Sequence, residues 1–199
     1  MVRGKAWLTL MLVGLVGCGP TVQPSGEPSS SPAPTHVCTP EAGGSARPCT
    51  DNEYNEMVAR EAEYERAESV YRTYLVEYVK AMRAGGTREL SPALTQVFGD
   101  PELAKNTLAQ LRQFKADGLR VVGTDPTIAT VTRKPGQTMH GSSTAIQFCV
   151  DARSLTVYRG KTRMNKLGVS RETMFFRADS PNELRIVAGT FEVVKSCTS

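Results

Sequence analysis

One helical pattern runs unbroken for nearly a quarter of the domain-length part of the chain, and it constrains the fold more than any other feature. Thr50-x-x-Glu53 forms a capping box, Cys49 and Tyr54 occupy the staple positions, and Gly85-Gly86 closes the run just after Lys80 and Arg83. The pattern predicts a single helix over about residues 51–84. Met57, Tyr64, Tyr71 and Tyr78 recur every seven residues, and Ala67, Tyr74, Leu75 and Met82 fill the same stripe. Five of the six tyrosines fall on this helix. Their rings are expected to cover a core with the hydroxyls at its rim, and Tyr71, Tyr74 and Tyr78 are also candidate walls of a ligand pocket. Such a helix rises about 50 Å, whereas a compact domain of this size is only about 38 Å across. It must therefore overhang or bend, and its charged first half, DNEYNEMVAREAEYER, is expected to project.

The pattern after the helix decides the fold class. Ser91-Pro92 and Asp100-Pro101 each set a capping side chain before a proline at the first helical position, and Gly99 and Gly118 act as stops. Leu103, Leu108, Leu111 and Phe114 give the third helix its apolar face. Beyond Gly118 come short β-rich runs separated by turn residues: LRVVG, TIATVT, STAIQFCV, SLTVY, TMFFRA and ELRIVAGTFEVVK. Helices first and an antiparallel sheet afterwards predict an α+β domain over residues 51–199. In the last run Leu184 and Ile186 share one face while Phe191 and Val193 fall on the other. A bulge at Gly189 would align all four and curve the sheet, and a long helix across the concave side of a curved sheet makes a cystatin-like cone.

The amino terminus reads as a targeting segment. Two cations in MVRGK precede an uncharged run from Ala6 to Val16, the layout of a secretory signal and too short to span a bilayer, which needs about 20 apolar residues. Leu15-Val16-Gly17-Cys18 matches the bacterial lipobox, so residues 1–17 are expected to be removed and Cys18 to carry lipid. Acyl chains on that residue would anchor the protein stably in a membrane. From Gly19 to Pro48 the chain holds seven of its twelve prolines with Ser, Thr and Gly. This composition predicts an unfolded tether over residues 18–50 that ends in a small disulfide loop.

Five cysteines are an odd count. With Cys18 acylated, Cys38, Cys49, Cys149 and Cys197 remain, and four cysteines allow three pairings. The expected one joins Cys38 to Cys49 and Cys149 to Cys197, with the other two left open. No CxxC or clustered His accompanies them, so no metal site is expected. The charge is +4, from 24 Lys+Arg against 20 Asp+Glu, and loss of Arg3 and Lys5 leaves +2. That near balance argues against nucleic acid as a partner.

Catalytic patterns are sparse. Most aspartates sit at helix starts or turns, with Asp151 alone on or near a strand, and His140 falls in the loop QTMHGSS. His140, Asp151 and Tyr78 make a conceivable dyad or triad. The expectation is nevertheless that these are structural or solvated residues, and no catalytic residue is assigned. There is no GxSxG elbow around Ser142 and Ser143 and no phosphate-binding glycine motif, so no cofactor is expected. The run YRGKTRMNKLGVSR, residues 158–171, has five basic side chains and no acidic one. It reads as a hairpin kept from edge pairing by charge, with contact to an anionic wall polymer or lipid headgroups as the functional alternative.

The order of elements resembles the nuclear transport factor two-like cone shared by SnoaL-like and ketosteroid-isomerase-like proteins. A nearer resemblance is to small envelope lipoproteins of high-GC Gram-positive bacteria. It is carried by the lipobox and Pro/Ser tether, Pro48-Cys49 before a charged helix with VYRTYL, Arg83-Ala84-Gly85-Gly86, Lys134-Pro135-Gly136, Gly141-Ser142, Cys149-Val150-Asp151 and Cys197. The resemblance implies a fold and an address on the outer face of the cytoplasmic membrane, and no active site. The expected function is a lipid-anchored, non-catalytic binding or accessory module of the cell envelope, touching the membrane through Cys18 and an envelope protein or anionic wall polymer. A cone-pocket enzyme or carrier for a small apolar molecule is the alternative. An open cavity enclosing Tyr78, His140 or Asp151 would favour the latter.

Overall fold

The structure is a computed structural model, and it describes residues 36–41, 43–180 and 183–198. The stretch expected to be a signal, Cys18 and the expected tether up to residue 35 lie outside the described residues. The chain forms β1 (His36–Cys38), β2 (Arg47–Cys49), α1 (Asp51–Arg83), α2 (Pro92–Gln96), α3 (Pro101–Ala116), β3 (Leu119–Val122), β4 (Thr127–Arg133), β5 (Thr144–Asp151), β6 (Thr156–Arg159), β7 (Thr162–Lys166), β8 (Val169–Ser180) and β9 (Glu183–Val194). The fold is α+β. All strand pairs are antiparallel, in three sheets ordered β1-β2, β3-β6-β7 and β4-β5-β8-β9.

Both ends of α1 are set by local chemistry. The Thr50 N–H donates to Glu53 Oε2 at 2.8 Å, and Arg47 Nη2 donates to Glu53 Oε1 at 2.8 Å. These bonds, the Thr50 one first, hold the Glu53 carboxyl down at about 2. At the other end Gly85 N–H bonds Met82 O and Gly86 N–H bonds Ala81 O at 2.9 Å, a Schellman pair, with both glycines at positive φ. Gly86 is also a close approach, because a Cβ there would stand 2.3 Å from the Leu111 carbonyl oxygen. α2 and α3 start as their sequences predict, with Ser91 and Asp100 accepting from the Leu94 and Leu103 amides.

The core lies between α1 and the concave face of the four-stranded sheet. Tyr64, Ala67 and Tyr71 pack with Ile146, Phe148, Val150, Met174, Phe176, Leu184 and Ile186, and Leu94, Phe98 and Leu111 close one side. The bulge that curves β9 lies at Val187, two residues before Gly189: Phe176 pairs with Ile186 and Phe175 with Ala188, leaving Val187 unpaired. Leu184 and Ile186 then face the same side as Phe191 and Val193, as the patterning requires, while Val187 and Ala188 pack behind with Ala145 and Phe175. Val187 can be the extra residue because the outer edge of β9 is held next to it. Ile186 N–H donates to Val97 O and Gly99 N–H donates to Ile186 O, each at 2.8 Å.

The charged first half of α1 does not project freely. The β1–β2 hairpin, closed by the Cys38–Cys49 disulfide, packs along it and shares its compact unit. The His36 and Tyr54 rings stack at 4.1 Å, and Glu41 accepts from both Arg60 and the Tyr64 hydroxyl. From β4, Arg133 pairs with Glu61 and sits 4.6 Å over the Tyr64 ring. Cover for this half therefore comes from polar and aromatic contacts, which an apolar stripe does not register. The second disulfide joins Cys149 to Cys197, so the segment after β9 must pass behind β8 to reach β5. Within the basic run, residues 162–166 form β7, an exposed edge strand, which is the placement that charge protects from pairing.

Candidate functional site

The C-terminal half of α1 does not close onto the sheet. Between them lies a cavity of about 590 Å³, walled by Tyr74, Leu75, Tyr78 and Met82 of α1, Phe98 after α2, Leu103 and Thr107 of α3, and the concave face of the sheet. Three features of the sequence hold it open. The bulge puts Ile186, Gly189, Phe191 and Val193 on the cavity side of β9; Gly168 and Gly189 line the wall without side chains; and exposed Phe191 and Val193 continue the apolar surface at the rim. At Gly189 an added Cβ would lie 2.8 Å from Met174 Sδ, whereas at Gly168 it would meet nothing within 4 Å.

Polar groups converge at one point on this lining. Glu172 projects from β8 on the same face as Ser170 and Met174. Its Oε2 accepts from the Tyr71 hydroxyl at 2.8 Å and its Oε1 from the Ser170 hydroxyl at 2.9 Å. The Tyr71 ring is fully buried, stacked 3.7 Å from Phe148, and this fixes where its hydroxyl points. Tyr74 stacks with Tyr78 at 5.6 Å and meets the edge of Phe98 at 5.9 Å. Burial, and then the negative charges and phenols around them, push the Tyr71 and Tyr74 phenols well above their ordinary range. Tyr78 is raised by burial first and by Glu172 second. All three therefore stay protonated and offer O–H groups and ring faces, while the carboxylate offers acceptors.

The predicted site residues divide. Tyr71, Tyr74 and Tyr78 come together, two on the cavity wall and one holding Glu172. His140 does not join them: it lies exposed in the 139–142 turn at a φ of 53°. Asp151 does not either. It alternates with Val150, which lines the cavity, so it faces the other side of the sheet, where Arg153 binds it and holds its carboxyl at about 2. The conceivable His140–Asp151–Tyr78 set is thus not assembled. Cys38, Cys49, Cys149 and Cys197 are all consumed in the two disulfides, paired as expected, and among the described residues no cluster of metal-ligating side chains occurs. Sequence reading missed Glu172 and Ser170. The available signal was Ser170, Glu172, Met174 and Phe176 at a spacing of two, a carboxylate in phase with core residues.

A shallower depression of about 400 Å³ lies among Arg66, Ser69, Gln96, Glu183 and Arg185. Its Arg185 is already paired with Glu183 and Asp179.

The fold and this cavity define the class: an α+β cone with a helix across a curved antiparallel sheet and an apolar pocket between them. No family model matches the sequence, and no curated protein matches it. Among solved structures, the chain is similar to the intermembrane space region of the chloroplast protein ARC6, with a TM-score of 0.44 and 10% identity over 65% of this chain and 96% of that one. It is also similar to CagV, a VirB8 homologue of the T4SS from Helicobacter pylori strain 26695, with a TM-score of 0.35 and 11% identity over 60% and 93% of the two chains. Likeness of this degree assigns neither family nor function.

Proposed function

We propose that the protein is a lipid-anchored binding module of the cell envelope that holds a small, largely apolar molecule in its cone. The observation that carries this reading is the 590 Å³, mostly apolar cavity with hydroxyls converging on Glu172, the form that small-molecule sites take. Binding is favoured over acid–base chemistry because His140 and Asp151, the groups expected to act with Tyr78, lie away from the cavity. The extracytoplasmic address is supported by the lipobox at Cys18 and by two disulfides, which persist in oxidising compartments. Among the described residues no helix is long and apolar enough to cross a membrane. Attachment is assigned to lipid on Cys18 on the strength of the lipobox.

The pocket can be tested with 1-naphthalenemethanol, a neutral apolar probe, by equilibrium dialysis against the full-length protein in phosphatidylcholine nanodiscs, with empty discs as the blank. Saturable binding of about one probe per chain is expected. Gly168→Trp should abolish it, since that position is on the wall and has room for a side chain. Failure of this probe and of its charged analogues of the same shape to bind above empty discs would refute the pocket reading.

A further inference from the structure

Glu172 gives the cavity a charge that its other walls do not answer. Among the described residues no lysine or arginine lines the cavity, and Glu172 is its one charged side chain. Its hydrogen bonds come from two neutral hydroxyls, Tyr71 and Ser170, so the negative charge is positioned without being neutralised. A neutral apolar ligand would expel water from this carboxylate and supply nothing in return, which is unfavourable for a charge leaving water. An anionic ligand would be repelled. A cation compensates the lost hydration and finds a second source of attraction in the stacked Tyr74 and Tyr78 rings, since aromatic faces attract ammonium groups.

From this juxtaposition we propose that the cavity selects an apolar amine, with its protonated nitrogen at Glu172 beside Tyr74 and Tyr78 and its hydrocarbon part against Leu75, Phe98 and Val150. The proposal rests on the pocket reading above and names the ligand class for it. Tyr71 is the positioning residue: stacked on Phe148, it holds the carboxylate in place from behind. Ser170 does the same from within β8.

Three probes of one shape separate the charge from the pocket: 1-naphthylmethylamine, 1-naphthalenemethanol and 1-naphthoic acid, dialysed at neutral pH against the full-length protein in phosphatidylcholine nanodiscs. The amine should bind at least about tenfold tighter than the alcohol, the scale of a charge-assisted hydrogen bond, and the acid should bind weakest. Glu172→Gln should bring the amine down to the affinity of the alcohol and leave the alcohol within about twofold. Equal binding of amine and alcohol would overturn the amine proposal while leaving the pocket standing, and so would a preference that survives Glu172→Gln. If none of the three binds saturably, the pocket reading falls and this one with it. Should Glu172→Gln fail to fold by circular dichroism, the ranking of the three probes on the unaltered protein still decides.

Discussion

At the scale of single residues, the site depends on Tyr71 more than on any other side chain. Its ring fills the core against Phe148 while its hydroxyl reaches Glu172, and the two roles separate by substitution. Tyr71→Phe keeps the stack and removes one bond to a carboxylate, so unfolding in urea should show a loss of about 1.5–3 kcal/mol. A loss near zero would mean that water replaces the hydroxyl and that Glu172 is not held from this side. Tyr71 was legible in the sequence because it sits in a seven-residue repeat of aromatic rings. Its partner was hidden by chain context, since Glu172 directly follows a five-cation run and reads as part of a solvated linker. Only when β8 begins at Val169 does its alternation with Met174 and Phe176 become visible. His140 and Asp151 misled for the opposite reason: residue type suggested chemistry, but a turn and the strand alternation direct them away from the cavity.

At the scale of elements, helix ends and the bulge determine where the cavity lies. Caps were readable because a capping box and a paired glycine stop are local chemistry, bonded within a few residues. The bulge was readable only in its consequence, the alignment of Ile186 with Phe191. Its position at Val187 depends on the 97–99 segment, distant in sequence, that holds the edge of β9. The cover over the first half of α1 was not readable, because the β1–β2 hairpin attaches by rings and carboxylates rather than by an apolar stripe. The α1 stop gives a direct test with an internal control. Gly85 and Gly86 both adopt positive φ, but an added Cβ meets the Leu119 carbonyl oxygen at an ordinary 3.5 Å at Gly85 and the Leu111 carbonyl oxygen at 2.3 Å at Gly86. Gly85→Ala should cost about 1 kcal/mol, from backbone conformation alone. Gly86→Ala should cost about 3 kcal/mol or more, because α3 must also shift. Equal losses in thermal or urea unfolding would show that α3 does not press on this turn.

At the scale of the whole molecule, the two disulfides tie opposite ends of the fold: one closes the hairpin at the start of α1, and the other returns the chain after β9 to β5. Both sit where the chain enters or leaves the domain, so an oxidising compartment secures the parts most exposed to fraying. A reducing one would leave them to packing alone. This makes address and architecture depend on one another, and it places weight on Cys18, the one cysteine of five that neither bond uses. A thiol directly after an apolar, uncharged leader suits acylation, and two or more acyl chains hold a protein at a membrane where a single chain holds it marginally. With Cys18→Ala expressed in a bacterial host, the protein should leave the membrane pellet for the soluble fraction or accumulate with its leader uncleaved. Both are read on a blot of fractionated cells. Mass analysis of the unaltered protein should show added acyl mass on its first mature residue. Membrane retention of Cys18→Ala with normal cleavage would show that attachment runs through the folded domain itself. In that event the apolar rim at Phe191 and Val193, rather than a lipidated thiol, would be the surface in contact with lipid.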